Sequence, residues 1–167
     1  MNKAEQQATE TGTAGVIARP PLLYLGALAL GLVVDHFWPL PIKISRPGVA
    51  HDVSAVVAGL MLLAGVGLMS AGIRNFLRVD TPVPTVKPTR VLVETGIHGR
   101  TRNPIYVGMF LIYGGIALLV RSPWAMVFIV PLALTVRYGV VAREEAYLER
   151  SFGDGYRRYK ARVRRWL

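Results

Sequence analysis

The chain alternates between long apolar segments and short polar segments that are rich in arginine. The apolar segments cover residues 22–38, 53–73, 105–120 and 124–142. Residues 53–73 contain no charged side chain, and a helix needs about 20 apolar residues to cross about 30 Å of hydrocarbon. The pattern therefore predicts an all-α integral membrane helical bundle with about four transmembrane helices.

The two ends of the chain are polar in different ways. Residues 1–19 carry Glu, Gln and Thr rather than the basic start of a signal peptide, so we expect a disordered cytosolic tail. Residues 143–167 continue the fourth helix, mix acidic with basic side chains, and contain Gly153 and Gly155 as predicted breaks. That composition is typical of a helix that lies at the membrane interface.

Composition and charge support this membrane assignment. Hydrophobic residues make up 52% of the chain, yet the net charge is +10 and the mean hydropathy is +0.37. Sixteen Lys and Arg fall in the termini and the loop 74–102, against three on the other side of the bundle. The positive-inside rule then predicts that both termini and the loop 74–102 face the cytosol. We expect a multi-pass protein of the plasma (inner) membrane with a cytosolic active site. Because orientation and anionic headgroups account for the basic surplus, we expect no nucleic acid partner.

The sequence offers few residues for metal binding or disulfide bonds. It does contain small residues at spacings that are typical of closely packed helices. There is no cysteine, and the three histidines are scattered, so we expect no metal site. Small residues four apart are predicted to let helices approach closely. These pairs are Ala27 with Gly31, Ala55 with Gly59, and Gly67 with Ala71.

The segment before the third span carries more polar groups than a helix start needs. Asn103 is a predicted cap, and Pro104 suits the first helical position. Capping does not explain Arg102 or Tyr106. Gly108, one turn on, is expected to face the bundle where a ligand can lie against the backbone.

Two acidic residues mark the exit of the fourth span. Glu144 and Glu145 lie where the helix leaves the hydrocarbon, and acidic side chains at that depth usually have a defined partner. Arg137 precedes Glu144 by seven residues and is expected on the same helix face, either as that partner or extended toward the headgroups.

Taken in order, these motifs form a longer pattern. It comprises Thr81-Pro82 with Pro84, Leu92-Val-Glu-Thr-Gly96, Thr101-Arg-Asn-Pro-Ile-Tyr-Val-Gly108, Glu144-Glu145 ahead of Leu148, and Phe152-Gly153 with Tyr156 and Tyr159. The pattern resembles the isoprenylcysteine carboxyl methyltransferase family and its bacterial relatives, over residues 81–167. The chain has Asn103 where the family often has His, and His98 where it often has an aromatic residue.

The resemblance implies an integral-membrane methyltransferase that uses S-adenosylmethionine. Residues 20–167 would form one membrane methyltransferase domain, whose tail, residues 143–167, closes the cofactor pocket. Glu144 or Glu145 can pair with the ammonium of the cofactor, Arg102 with its carboxylate, and Tyr106 or Tyr156 with its sulfonium. Expected catalytic residues are Arg102 and Glu145. Expected cofactor-binding residues are His98, Arg102, Asn103, Pro104, Tyr106, Gly108, Glu144, Glu145 and Tyr156.

The expected partners are the lipid bilayer and a lipophilic small-molecule or prenylated acceptor that enters from lipid. We favour carboxyl O-methylation of an isoprenylcysteine-like or other lipid-soluble acid, because a carboxylate needs no base at neutral pH. Phospholipid N-methylation is the alternative within enzymes. A small four-helix multidrug-type transporter and a non-catalytic membrane scaffold are the alternatives outside them, although Asp35, the only acidic residue in the first three spans, lies at a helix end.

Overall fold

The computed structural model describes residues 14–41, 49–81 and 89–167, without the side chains of residues 49–52. Within these ranges every regular element is a helix, apart from one isolated parallel bridge between Thr101 and Arg164. In chain order the elements are α1 (Pro20–Phe37), α2 (Val49–Arg78), a 3₁₀ helix (Gly96–Gly99), α3 (Pro104–Leu119), α4 (Pro123–Thr135), a π-helix (Val136–Val141), α5 (Ala142–Phe152) and α6 (Asp154–Arg162).

All four predicted spans are helical, and three are long and apolar enough to cross a membrane: Pro20–Phe37, Val53–Arg78 and Pro123–Phe152. With 16 residues, α3 is about 24 Å long, somewhat less than the hydrocarbon thickness. Large apolar side chains point outward, such as Leu63, which is 73% exposed. The predicted all-α membrane bundle is confirmed.

Glycines hold α2 and α3 together in an antiparallel pair. A methyl group added to Gly108 would lie 2.6 Å from the carbonyl oxygen of Gly65, and one added to Gly115 would lie 3.1 Å from that of Ala58. Gly72 lies against Ile105 in the same way. The three α2 residues, Ala58, Gly65 and Gly72, are seven apart and so share one helix face. This face lets the backbones of α2 and α3 approach closely.

The small-residue pairs predicted from the sequence are right at one place only. Gly31 of α1 packs against the backbone of Ala125 in α4, as expected. Gly59 and Gly67 were the wrong choice, because a methyl group on either would meet nothing within 4 Å. Spacing alone does not separate a small residue that faces a neighbouring helix from one that does not.

The fourth span runs as one continuous rod from α4 through the π-helix into α5, with Pro131 inside it. A π-helix turns less per residue than an α-helix and so rotates the following face. Consequently Arg137 is exposed and lies over the ring of Tyr138, whereas Glu144 is buried. The prediction that Arg137 and Glu144 share a face is wrong, and Arg137 takes its outward alternative.

The chain before α1 packs against this rod. The Ile17 amide donates to the carbonyl oxygen of Gly139 at 3.3 Å, and Arg143 donates to that of Gly15 at 2.8 Å. Residues 14–19 are therefore not part of a free tail, and the rest of the predicted tail, residues 1–13, lies outside the described residues.

Two predicted breaks and one predicted hairpin concern the connections between helices. Gly153 ends α5 with a φ of 51°, as predicted, but Gly155 lies inside α6. Only Val120 to Ser122 separate α3 from α4, which confirms the tight turn. There Asp35 accepts a hydrogen bond from Ser122, whose hydroxyl in turn accepts from the Ala125 amide at 3.0 Å, so Asp35 anchors two helix ends.

Candidate active site

The end of the bundle that carries the predicted motifs brings three segments together: the entry to α3, the start of α5 and the last residues of the chain. The Arg102 amide donates to the carbonyl oxygen of Arg164 at 2.9 Å, and the side-chain amide of Asn103 donates to that of Arg165 at 2.9 Å. Asn103 was expected to cap α3 with its side chain. It does not, because that side chain is bound to the tail.

A buried ion-pair cluster lies at this junction. Arg102 donates to Glu145 Oε1 through Nε at 3.1 Å and through Nη2 at 2.7 Å, and both side chains are only 8% exposed. Arg165, from the tail, also binds Glu145, with its closest contact at 2.6 Å. Glu145 is thus neutralised from two sides, as a buried carboxylate requires.

The remaining hydrogen bonds of Arg102 limit what else it can bind. Its Nη1 donates to the carbonyl oxygens of Lys160 and Val163 at 3.0 and 2.9 Å. Four of the five guanidinium N–H groups are then in use. One N–H group remains, too few for a bidentate pair with a cofactor carboxylate, and in this arrangement Arg102 binds Glu145 and positions the tail.

Glu144 has a different environment from its neighbour. The Tyr106 hydroxyl donates to Glu144 Oε1 at 2.8 Å, and the backbone carbonyl of Tyr106 accepts from the hydroxyl of Tyr24 at 3.4 Å. The prediction that both glutamates have defined partners is confirmed. The hydrogen bond also fixes Tyr106 between α1 and α5.

His98 lies in the 3₁₀ helix, against the end of α2. The Asn75 side-chain amide donates to the carbonyl oxygen of Thr95 at 2.7 Å and lies 3.2 Å from His98 Nδ1, which must therefore accept, so that the proton is on Nε2. The ring meets Phe76 edge-on at 5.0 Å. Burial lowers the pKa of His98 to about 4, so the imidazole is neutral at pH 7.

Helix α6 places two tyrosines over this region. Tyr156 and Tyr159 are buried with their rings 6.0 Å apart, and the Tyr159 hydroxyl donates to the carbonyl oxygen of His98 at 2.7 Å. Burial raises the pKa of both phenols, which therefore stay protonated. The tail after Gly153 thus covers the junction with neutral aromatic side chains.

These elements enclose a cavity of about 880 Å³. Its wall is mostly apolar. The apolar part comes mainly from the start of α1, the end of α2 and α3, and a smaller polar part comes from the residues before α3, the start of α5 and the tail. The apolar part includes Pro20, Pro21, Leu22, Met69, Ile73, Ile105 and Met109. The polar part includes His98, Arg102, Asn103, Glu144, Glu145, Tyr156 and Tyr159. Leu22 is 60% exposed, so the apolar part reaches the lipid-facing surface.

Most of the predicted cofactor-binding residues lie on this wall: His98, Arg102, Asn103, Pro104, Tyr106, Glu144, Glu145 and Tyr156. Gly108 does not line the cavity, and its Cα faces the backbone of Gly65 in α2. Sequence reasoning missed Tyr159 and Arg165 as site residues. Tyr159 follows Tyr156 by three residues and so shares its helix face, which was the available signal.

Comparison with known proteins gives the family. Residues 53–155 match the phospholipid methyltransferase family. The chain belongs to this family. An uncharacterized protein of Haemophilus influenzae is 41% identical over 63 residues, which are 38% of this chain and all of that protein. No solved structure matches.

Membership of the phospholipid methyltransferase family agrees with a membrane methyltransferase. This family lies in the same superfamily of integral-membrane methyltransferases as the isoprenylcysteine carboxyl methyltransferases, but the match does not assign the chain to that narrower group. The matched residues include Arg102, Tyr106, Glu144 and Glu145. Helix α1 and the tail after residue 155 lie outside them, so both parts complete the cavity with residues that the match does not cover.

Proposed function

We propose that the protein transfers a methyl group from S-adenosylmethionine to an amphiphilic acceptor that enters the cavity from the bilayer. The observation that carries this proposal is the division of one cavity into a polar part and an apolar part. A polar cofactor and a lipid-soluble acceptor need those two surroundings side by side. The acceptor we favour is a lipid-soluble acid, methylated on its carboxylate.

The cavity as a whole is large enough for the cofactor, and its polar part has matching chemistry. Cavities of about 300–1,000 Å³ accommodate drug-sized ligands. Among the described residues, the buried hydroxyl oxygen of Thr89, on the cavity wall, has no hydrogen-bond partner, and a polar ligand would supply one. We assign the ammonium to Glu144, which accepts from the neutral Tyr106 hydroxyl, whereas Glu145 is bound by two arginines. Tyr106 and Tyr156 offer aromatic faces to a sulfonium.

S-adenosylmethionine supplies a methyl group on a positively charged sulfur, which is activated for in-line displacement. The protein then has to align the acceptor and exclude water. Tyr156 and Tyr159 cover the polar part, and the ion pair between Arg102 and Glu145 holds them in place through the tail. The catalytic contribution of Arg102 and Glu145 is therefore one of positioning.

An acid acceptor suits the proton chemistry of the site. A carboxylate is already ionised at pH 7, whereas an amine must lose a proton before it can attack. His98 is a weak base because burial lowers its pKa to about 4, and its Nδ1 already accepts a hydrogen bond. O-methylation needs no such base.

Phospholipid N-methylation is the second candidate, favoured by the description of the family. In that reaction Glu144 would be the group on the cavity wall that accepts the amine proton. For either acceptor, we propose that the cavity end of the bundle faces the cytosol from the plasma membrane, since most basic residues lie at that end.

The test compares Glu144→Gln with Glu149→Gln, a matched control on α5 that does not line the cavity and whose side chain is 35% exposed. The glutamine at position 144 can still accept from Tyr106, so the fold is retained while the charge is lost. Titration calorimetry with S-adenosylhomocysteine should give a micromolar Kd for the wild type, weakened about tenfold or more by Glu144→Gln and unchanged by Glu149→Gln. Membranes incubated with labelled S-adenosylmethionine should yield a labelled lipid-soluble ester. Absence of binding by the wild type would refute the proposed function.

A further inference from the structure

The charged groups on the cavity wall are not all neutralised within the protein. Four of the lining residues are Arg or Glu, namely Arg19, Arg102, Glu144 and Glu145. Arg102 and Glu145 bind each other, and Glu144 accepts from Tyr106. Arg19 is exposed, and its guanidinium makes no ion pair and no hydrogen bond to any residue of 14–41, 49–81 or 89–167. It is therefore the cation that the described wall leaves for a ligand.

The backbone around Arg19 holds this residue in place. It is followed by Pro20 and Pro21, which begin α1, and its carbonyl oxygen accepts from the Leu22 amide at 3.0 Å. Ile17, two residues earlier, is hydrogen-bonded to the π-helix. The cation is thus presented from a fixed segment, at the rim of the cavity.

The neighbours of Arg19 on the wall are apolar. Pro20, Pro21 and Leu22 line the cavity beside it, and Leu22 and Ile73 also reach the outer surface. The acidic residues of the wall lie on α5, in the polar part. An unpaired arginine at an apolar rim matches a ligand with an apolar chain and an anionic group, because a charge-assisted hydrogen bond to arginine is stronger than a neutral one.

We propose that Arg19 binds the anionic group of the acceptor, a carboxylate or a phosphodiester attached to an apolar chain, where that acceptor enters the cavity. This inference rests on the proposed function and narrows its acceptor to amphiphiles that carry an anionic group. Arg19 lies outside residues 53–155, so this specificity would come from a part of the chain that the family match does not include.

The experiment uses the full chain in micelles of an alkyl maltoside, a detergent with neither a carboxylate nor a phosphodiester, with S-adenosylhomocysteine present. The probes are a farnesyl thioether carboxylic acid, the alcohol with the same chain, and phosphatidylethanolamine. The variants are Arg19→Gln, the conservative Arg19→Lys, and Arg78→Gln. The last is a matched control, since Arg78 is an exposed arginine at the end of α2 that does not line the cavity.

The wild type should bind the acid about tenfold more tightly than the alcohol. Arg19→Gln should abolish that preference, while Arg19→Lys and Arg78→Gln should retain most of it. If Arg19→Gln weakened the affinity for phosphatidylethanolamine tenfold and left the affinity for the acid unchanged, the anion would be a phosphodiester rather than a carboxylate. The Kd for S-adenosylhomocysteine should be the same in all variants.

Three results would overturn the assignment of Arg19: no preference of the wild type for either anion over the alcohol, an unchanged preference in Arg19→Gln, or weaker binding of S-adenosylhomocysteine in Arg19→Gln. The last would place Arg19 at the cofactor. Failure of the proposed function gives a different result, in which the wild type does not bind S-adenosylhomocysteine while its preference for the acid still depends on Arg19.

Discussion

At the scale of single residues, Arg102 has the most connected side chain of the site. It binds a carboxylate on α5 and two carbonyl oxygens at the end of α6, so one guanidinium joins the entry of α3 to both. A buried ion pair stabilises a protein little compared with apolar packing, but removal of one partner leaves the other charge buried and costs several kcal/mol. The arrangement makes closure of the cavity dependent on this residue.

Arg102→Ala should loosen the tail without preventing membrane insertion. In this variant Glu145 would be paired with Arg165 alone, and the carbonyl oxygens of Lys160 and Val163 would lose their donor. We therefore expect the free energy required to open the tail to fall by about 2–4 kcal/mol. Hydrogen exchange of the amides in residues 156–165 measures this change. Arg165→Ala is the comparison. Its side chain is 28% exposed and, among the described residues, binds Glu145 alone, so its effect should be smaller, about 1 kcal/mol. Equal effects would contradict this account.

His98 makes stability depend on pH. Burial lowers its pKa from 6.5 to about 4, so between these values the unfolded chain takes up a proton that the folded chain does not. Stability should therefore fall as the pH decreases from about 6.5 towards 4. Thermal unfolding in detergent at pH 7.5, 6.5 and 5.5 tests this, and His98→Gln should reduce the dependence. The control is His36→Gln, an exposed residue, which should retain it. An unchanged slope in His98→Gln would exclude His98 as its source.

Single residues also mark how far the sequence leads. That Glu144 and Glu145 have partners follows from the cost of an unpaired acid at the edge of a membrane. That Arg102 is almost saturated does not, because two of its acceptors are carbonyl groups some 60 positions away in the chain, whose placement depends on how α6 folds back. Arg19 was counted in the sequence only as a basic residue, since nothing local places it on the cavity wall.

At the scale of helices, glycine contacts fix the relative position of α2 and α3, and through it the position of the site. The start of α3 carries Asn103 and Tyr106, and α2 carries Asn75 and Phe76 against His98. A shift along the shared face would separate these groups. Hydrophobicity predicts that such helices exist, but it does not say which face meets which neighbour. It therefore predicts neither the contact of Gly108 with α2 nor the π-helix.

Gly108→Ala should destabilise the bundle and Gly67→Ala should not. The added methyl group at Gly108 would lie 2.6 Å from one backbone oxygen and 2.9 Å from the Met69 amide nitrogen, and backbone atoms cannot rotate away. We expect a loss of about 1–3 kcal/mol. At Gly67 the methyl group meets nothing within 4 Å, so the change should be within about 0.5 kcal/mol. Denaturation in mixed micelles measures both, and a stable Gly108→Ala variant would contradict this packing.

At the scale of the whole molecule, the two ends of the bundle differ in character. One end carries the cavity, the ion pairs and the exposed basic side chains of α6. The other end is the tight turn between α3 and α4, where Trp124 donates to the carbonyl oxygen of Trp38 at 2.7 Å. Tryptophan is enriched at membrane interfaces, and lysine and arginine are retained on the cytoplasmic side. The cavity would then open both to the inner leaflet and to the cytosol, where soluble S-adenosylmethionine is available.

This orientation can be tested directly because the chain has no cysteine, so that each introduced cysteine is a single reporter. Arg158→Cys places the reporter on the exposed side of α6, and Pro39→Cys places it beyond the end of α1. A membrane-impermeant maleimide added to intact cells should label Pro39→Cys and leave Arg158→Cys unlabelled, whereas both should react after permeabilisation. Unchanged thermal midpoints of the two variants would show that labelling reports the native arrangement. If Arg158→Cys reacted in intact cells, the cavity would face away from the cytosol, and a cytosolic methyl donor could not reach it.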